Sequence, residues 1–187
     1  MSTLLTVARD KDGKEVGIEE VAHGKACNCF CPSCKKPLIA KNSIPRAFAR
    51  RAHHFAHQKG CLCETNDETV LHQLAKEIIK EEKSLMLPQS KSGSRPSGIV
   101  HFRSVEVEKW DDLYKFRPDT EAITEDGERI LIEFLVTHEV SQKKRRIIIE
   151  NNLRCLEVDL NFVEPRKDAV RRFLLSETEE RKWIEPI

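Results

Sequence analysis

Arg129-Ile130-Leu131-Ile132-Glu133-Phe134-Leu135-Val136-Thr137 is the stretch on which the fold turns. It reads as a strand, because large apolar and β-branched residues run through it without Gly or Pro. Successive side chains of a strand face opposite ways, so Ile130, Ile132, Phe134 and Val136 share one face. Glu133 falls on the other, between Leu131 and Leu135. A carboxylate in such surroundings costs on the order of several kcal/mol unless it is paired or holds a metal.

Upstream, Glu125-Asp126-Gly127-Glu128 contains the Asp-Gly pair of a tight antiparallel turn, which makes Tyr114–Thr124 the partner strand. Asp119 then lies 14 residues before Glu133, across that hairpin, where the two carboxylates can meet. Together they would make a hard-oxygen site for Mg²⁺ or Mn²⁺. The alternative is a pairing of Glu133 with Arg117 or Arg129. A further strand is expected at Ile99–Glu108, and Pro88–Gly98 is a Ser/Gly/Pro-rich loop. Downstream, Val140–Asn152 reads as a helix, Leu153–Leu160 as a buried strand, and Pro165 opens a last helix carrying Val170, Phe173 and Leu174. Near the front of the domain, Thr65-Asn66-Asp67-Glu68 fits a capping box, and Val70, Leu71, Leu74, Ile78 and Ile79 form one helical face up to about Lys83. The order after residue 64 is α-β-β-β-α-β-α, an α/β sandwich with a mixed sheet and a helix of the right size for a parallel crossover.

Charge and cysteine usage set the first third apart. The chain of 187 residues has a formal net charge of +1. Gly24 through Cys63 nevertheless holds eight basic residues (Lys25, Lys35, Lys36, Lys41, Arg46, Arg50, Arg51, Lys59) and no acidic one, which leaves −7 on the remainder. A uniformly basic coat is excluded; a basic module ahead of an acidic body is not. Six of the seven cysteines lie in the same segment, beside His53, His54 and His57. The beginning Met1-Ser2-Thr3 lacks a charged stretch followed by a long apolar one, so a reduced, cytoplasmic chain is expected, with clustered Cys and His as metal ligands. No apolar run reaches the roughly 18–20 residues of a membrane span. Cys31 and Cys34 have the two-residue gap of a zinc knuckle, and His54 and His57 repeat it; Cys27, Cys29, Cys61 and Cys63 could replace the histidines or build a second site, with Cys61 or Cys63 the nearer competitors. A segment with so few large apolar residues depends on metal to fold, and its positive charge suits phosphate, with Arg46, Arg50 and Arg51 as contacts. Phe48, Phe55 and Phe102 are read as core before they are read as base-stacking residues. Residues 1–23 carry hairpin signals around Asp12-Gly13. The division expected is 1–63, a hairpin and zinc-binding module, and 64–187, an α/β domain.

Pro118-Asp119 followed by Ile132-Glu133 in an apolar strand resembles the PD-(D/E)xK nuclease superfamily. The strings Cys31-Pro32-Ser33-Cys34, His54-Phe55-Ala56-His57, Glu68-Thr69-Val70-Leu71-His72 with Ala75-Lys76, and Arg117-Pro118-Asp119 resemble, more narrowly, its CoiA-like competence-protein family. Thr137-His138 and Leu156-Glu157-Val158-Asp159-Leu160 also fit that group. The resemblance implies a restriction-endonuclease-like αβββαβ core and a Mg- or Mn-dependent deoxyribonuclease. It implies Asp119 and Glu133 as metal ligands, with help from Glu68 and His72 on the preceding helix. The usual Glu-x-Lys would put lysine at 135, where this chain has Leu135. Lys144, then Lys143, on the following helix are the expected substitutes, with Lys76 another. Glu157 and Asp159 are read as supporting the site. DNA is the expected partner, contacted also by Arg117, and protein partners or self-association are compatible with the same reading. Its rivals are an inactive nuclease-fold protein that binds nucleic acid and a zinc-stabilised interaction adaptor.

Overall fold

The computed structural model describes residues 4–49, 51–89, 97–136, 139–176 and 180–184, the Arg46 side chain excepted. The chain divides by its packing into two units, Met1–Leu71 and His72–Ile187.

In the first unit, β1 (Val7–Arg9) and β2 (Glu15–Gly17) pair antiparallel. The Asp10 carboxylate builds their turn by accepting from the backbone N–H groups of Asp12 and Lys14, each at 2.9 Å. Gly13 completes it at φ +82°, a conformation that side-chain-bearing residues resist. A second pair joins β3 (Leu38–Lys41) to β4 (His54–His57), with Leu38 opposite His57 and Lys41 opposite His54. Bridges from Leu5 to Phe55, Arg9 to Phe30 and Gly24 to Ala40 link the pieces. Leu5, Val7, Ile18, Leu38 and Phe55 are buried, a thin core for this length of chain.

The boundary between the units falls within α1 (Asp67–Glu82). Its start departs from the expected capping box by one residue. Asn66 Oδ1 accepts from the Thr69 N–H at 2.9 Å, so Asn66 caps the helix. Thr65 is engaged elsewhere, with its hydroxyl 2.9 Å from Cys63 Sγ. Asp67 is held by Thr6, whose N–H and hydroxyl donate to its carboxylate at 2.7 and 2.6 Å.

The second unit contains one mixed sheet. β5 (Ser84–Leu87), β6 (Gly98–Val107), β7 (Thr120–Thr124) and β8 (Arg129–Leu135) form an antiparallel meander. α2 (Gln142–Glu150) crosses over to β9 (Cys155–Asp159), which runs parallel to β8. After α3 (Lys167–Leu174), β10 (Arg181–Trp183) pairs antiparallel with β9. The order across the six strands is β10-β9-β8-β7-β6-β5.

Three differences from the sequence reading have physical causes. Leu85-Met86-Leu87 is too short an apolar run to announce a strand, yet it pairs with β6. Arg181–Trp183 is shorter still and forms only against β9. The expected strand from Tyr114 begins at Thr120 instead, because Asp111 folds residues 111–116 into a turn: its Oδ1 accepts from Leu113 N and Tyr114 N at 2.9 and 3.0 Å.

The two edge strands approach one another. Arg181 Nη1 donates to the Met86 carbonyl at 2.8 Å, and Trp183 Nε1 to that of Pro88 at 3.3 Å. The expected α/β sandwich is therefore a curled, nearly closed mixed sheet, and closure shields edges that would otherwise be open to pairing. Leu131 and Cys155 form a buried cluster with Phe116, Ile148 and Ile184, flanked by Ile147 and Ile149, so α2 covers that face of β8 and β9. On the opposite face of β8, Phe134 meets His72 of α1 edge-on at 6.3 Å. No helix among the described residues is long and apolar enough to cross a membrane.

Ile148 is fully buried and Lys143, on the same helix, is exposed. Ile148→Ala is expected to cost about 2–5 kcal/mol in urea denaturation. Lys143→Ala should stay within about 0.5 kcal/mol of the parent; equal losses would contradict this packing of α2.

Candidate functional site

Two clusters of chemistry-bearing side chains stand out, one in each unit. In the first, the chain turns sharply after Cys31. Lys35 N–H donates to the Cys31 carbonyl at 3.0 Å, Cys31 N–H to that of Lys36 at 2.9 Å, and Lys35 takes the left-handed φ of 61°. Cys34 N–H points at Cys31 Sγ, 3.5 Å away. This brings both thiols to one side, where Cys34 Sγ lies 3.3 Å from His57 Nε2 and Cys31 Sγ 4.0 Å from Cys63 Sγ. All four donor atoms fall within 4.8 Å of one another. Bonds of about 2.0–2.3 Å to a tetrahedral zinc would space its ligands about 3.5–3.8 Å apart. Cys31, Cys34, His57 and Cys63 can therefore hold a metal such as zinc.

His54, expected beside His57, does not join this group. Both lie in β4, and an odd separation along a strand puts side chains on opposite faces. His54 Nδ1 instead sits 2.9 Å from the Ala52 carbonyl oxygen. Of the competing cysteines, Cys63 converges on the cluster, and Cys27, Cys29 and Cys61 do not. Burial, and then the charge of Lys36, hold His57 below the usual imidazole range, which favours the neutral ring that a metal requires. Burial opposes ionisation of Cys63, but hydrogen bonds from Thr65 lower its pKa overall. Cys29, by contrast, is pushed up to about 12 by burial and by Cys27.

In the second unit, Glu133 is 5% exposed at the centre of β8. Lys144 reaches it from α2, with Nζ 2.6 Å from Glu133 Oε2 and 2.8 Å from the Arg117 carbonyl oxygen. Ser141 starts that helix, its side chain accepting from Lys144 N. Asp119 immediately precedes β7, and its Oδ2 accepts from Phe134 N at 2.9 Å, with His72 Nδ1 3.8 Å away. Glu157 lies opposite Glu133 on β9 and is 2.8 Å from Lys182 Nζ. Glu133 Oε1 is buried without a hydrogen-bond partner among the described residues, and a buried carboxylate oxygen in that state is an atom that a hard cation can satisfy. Burial pushes the Glu133 carboxyl up to about 7; Lys144 opposes the shift and the Asp119 charge adds to it.

The structure thus brings together Asp119, Glu133 and Lys144, and sets His72 beside Asp119 from the other face of β8. It does not bring Lys143, which is exposed, or Lys76, which pairs with Glu108 at 2.6 Å. Arg129, an alternative partner for Glu133, is taken by Asp111 and Glu121, each at 2.5 Å. Glu68 belongs to the first unit, on α1. Arg51 and Arg117 are exposed, while Arg50, the Arg46 side chain, Thr137 and His138 lie outside the described residues. The Glu157–Lys182 pair had no sequence signal, since β10 itself had none. No family model matches the chain, and comparison with curated proteins and with solved structures also gives no match.

Metal analysis of the purified protein should find about one zinc per chain. Loss is expected in Cys34→Ser, His57→Ala and Cys63→Ser, and retention in His54→Ala and Cys61→Ser. Zinc lost from His54→Ala and kept in Cys63→Ser would reverse the ligand assignment.

Because the Glu133 pKa is raised in the folded state from an ordinary 4.5 to about 7, its contribution to stability is full below 4.5 and is lost as pH rises through 7. Without divalent ions, Glu133→Gln should lose less stability than the parent between those values, by at most about 3 kcal/mol in urea titrations. Parallel pH profiles would show that Glu133 titrates normally.

Proposed function

We propose that the chain is a Mg- or Mn-dependent deoxyribonuclease of the PD-(D/E)xK type, in the CoiA-like group, whose zinc-held basic unit positions the DNA. One observation carries the reading: Lys144 Nζ, 2.6 Å from Glu133 and on the helix after β8, supplies the cation absent from position 135. The order α1, β6, β7, β8, α2, β9 agrees with a restriction-endonuclease-like core, to which β5 and β10 would be edge additions.

Asp119 and Glu133 would hold the ion, with Oε1 of Glu133 as one donor. Such an ion polarises a phosphodiester and lowers the pKa of an attacking water. Mg²⁺ commonly binds through one or two carboxylates and takes its other ligands from water and substrate phosphate, so a pair of acids suffices. Lys144 would move its charge from Glu133 to the phosphate as negative charge develops there. His72, near Asp119, would orient that carboxylate. The second reading, a nuclease-fold protein that binds DNA without cutting it, draws on the same ion pair, because Lys144 already neutralises Glu133 without a metal.

Plasmid and single-stranded DNA incubated with Mg²⁺ or Mn²⁺ test both. Cleavage should fall by about 100-fold or more in Asp119→Ala, Glu133→Ala and Lys144→Ala, and remain near parental in Lys143→Ala. Cleavage unchanged by Asp119→Ala and Glu133→Ala would remove the site, and DNA binding without cleavage by the parent would select the second reading.

A further inference from the structure

Within the first unit, the segment after β3 encloses a cleft of about 490 Å³, lined among others by Lys41, Ile44, Phe48, Arg51 and His53. That volume lies in the range of about 300–1,000 Å³ typical of sites for small ligands. Its frame is fixed from below. Asn42 Nδ2 donates to the carbonyls of Ile18 and Val21 at 2.8 and 3.0 Å. His53, 7% exposed, has Nδ1 2.9 Å from the Glu19 carboxylate and Nε2 2.7 Å from the Ile44 carbonyl oxygen. The loop that carries Ile44 is thereby tied to the residues following β2.

What this frame presents is unusual for a unit with so little core. Phe48 is 78% exposed, whereas Phe55 and Phe102 are each 3% exposed. Only the latter two behave as the core residues expected from sequence. Phe48 ends a short 3-10 turn, Arg46–Phe48, that follows Pro45, and its ring stands where Lys41 and Arg51 also line the cleft. Among the described residues no Asp or Glu lines it. An exposed aromatic face flanked by cations, without a carboxylate, complements a base attached to phosphates. It does not suit duplex DNA, whose bases are already stacked, nor a peptide needing anionic partners.

We infer that this cleft is a binding site for single-stranded DNA, in which one unpaired base stacks on Phe48 while Lys41 and Arg51 contact the adjoining phosphates. The inference rests on the reading of the chain as a protein that acts on DNA, and adds to it a preference for unpaired strand located in the zinc-held unit. It assigns the module a role in selecting substrate in addition to supplying positive charge.

Fluorescence anisotropy tests it on the whole 187-residue chain, loaded with zinc, in buffer without Mg²⁺ or Mn²⁺. The probes are a labelled oligothymidine of about twelve nucleotides and a duplex of equal length. Phe48→Ala should weaken single-strand binding by about fivefold or more and duplex binding by less than about twofold, and Phe48→Trp should restore the single-strand value. Lys41→Ala and Arg51→Ala should each reduce the salt slope of single-strand binding by about 0.7. Unchanged zinc content and circular dichroism of Phe48→Ala would establish that folding is not the cause. The proposal is overturned if Phe48→Ala leaves single-strand binding unchanged, if it weakens both probes equally, or if the parent binds no single strand. Hydrolysis is read separately with Mg²⁺ present: its absence alongside a Phe48 effect would sink the nuclease reading and leave the cleft standing.

Discussion

A carboxylate in the middle of an apolar strand must be compensated, and much of the second unit is organised by how Glu133 is. Its compensation comes from Lys144, which lies 11 residues on and reaches Glu133 only because α2 carries the chain across the face of β8 before β9 pairs in parallel. The same ammonium holds the Arg117 carbonyl, immediately ahead of Pro118-Asp119. One buried charge therefore ties the crossover helix to the approach of β7. The compensation is incomplete, since Oε1 has no hydrogen-bond partner among the described residues and the carboxyl remains hard to ionise. A buried carboxylate left in that state is the kind of group whose environment, more than its residue type, sets when it ionises.

The first unit meets a different constraint. Two short strand pairs bury little apolar surface for a segment this long, and four convergent donor atoms can add a crosslink to what the core supplies. The elements serve that convergence: the turn after Cys31 aligns two thiols, β4 aims His57, and Thr65 holds Cys63 just before α1 begins. A loop stabilised from its base by Asn42 and His53 can then afford to leave Phe48 outside.

Legibility followed how local the signal was. The Asp12-Gly13 and Asp126-Gly127 turns, the apolar run of β8, the periodicity of α1 and the length of α2 are each encoded by adjacent residues, and each forms. Leu85–Leu87 and Arg181–Trp183 carry no such pattern; they are strands only because β6 and β9 offer them partners. At the site, the carboxylates could be read from residue type and strand parity. Lys144 could be ranked ahead of Lys143 only by the resemblance, since adjacent helix residues differ in direction by about 100° and no spacing says which faces the sheet. The two-residue gap between His54 and His57 matches that of Cys31–Cys34 in spacing alone: the cysteines flank a turn, whereas the histidines lie in a strand that faces them apart.

The sequence by itself determined the class of the chain: a basic Cys/His segment leading an α/β body with a carboxylate in its central strand. These follow from composition and local periodicity, which are properties of neighbours along the chain. Tertiary structure alone decided the fourth member of the Cys/His cluster, the lysine that meets Glu133, the near-closure of the sheet through Arg181 and Trp183, and the exposure of Phe48. Each depends on two segments distant in sequence arriving within a few ångströms, and that distance is set by how the whole chain packs.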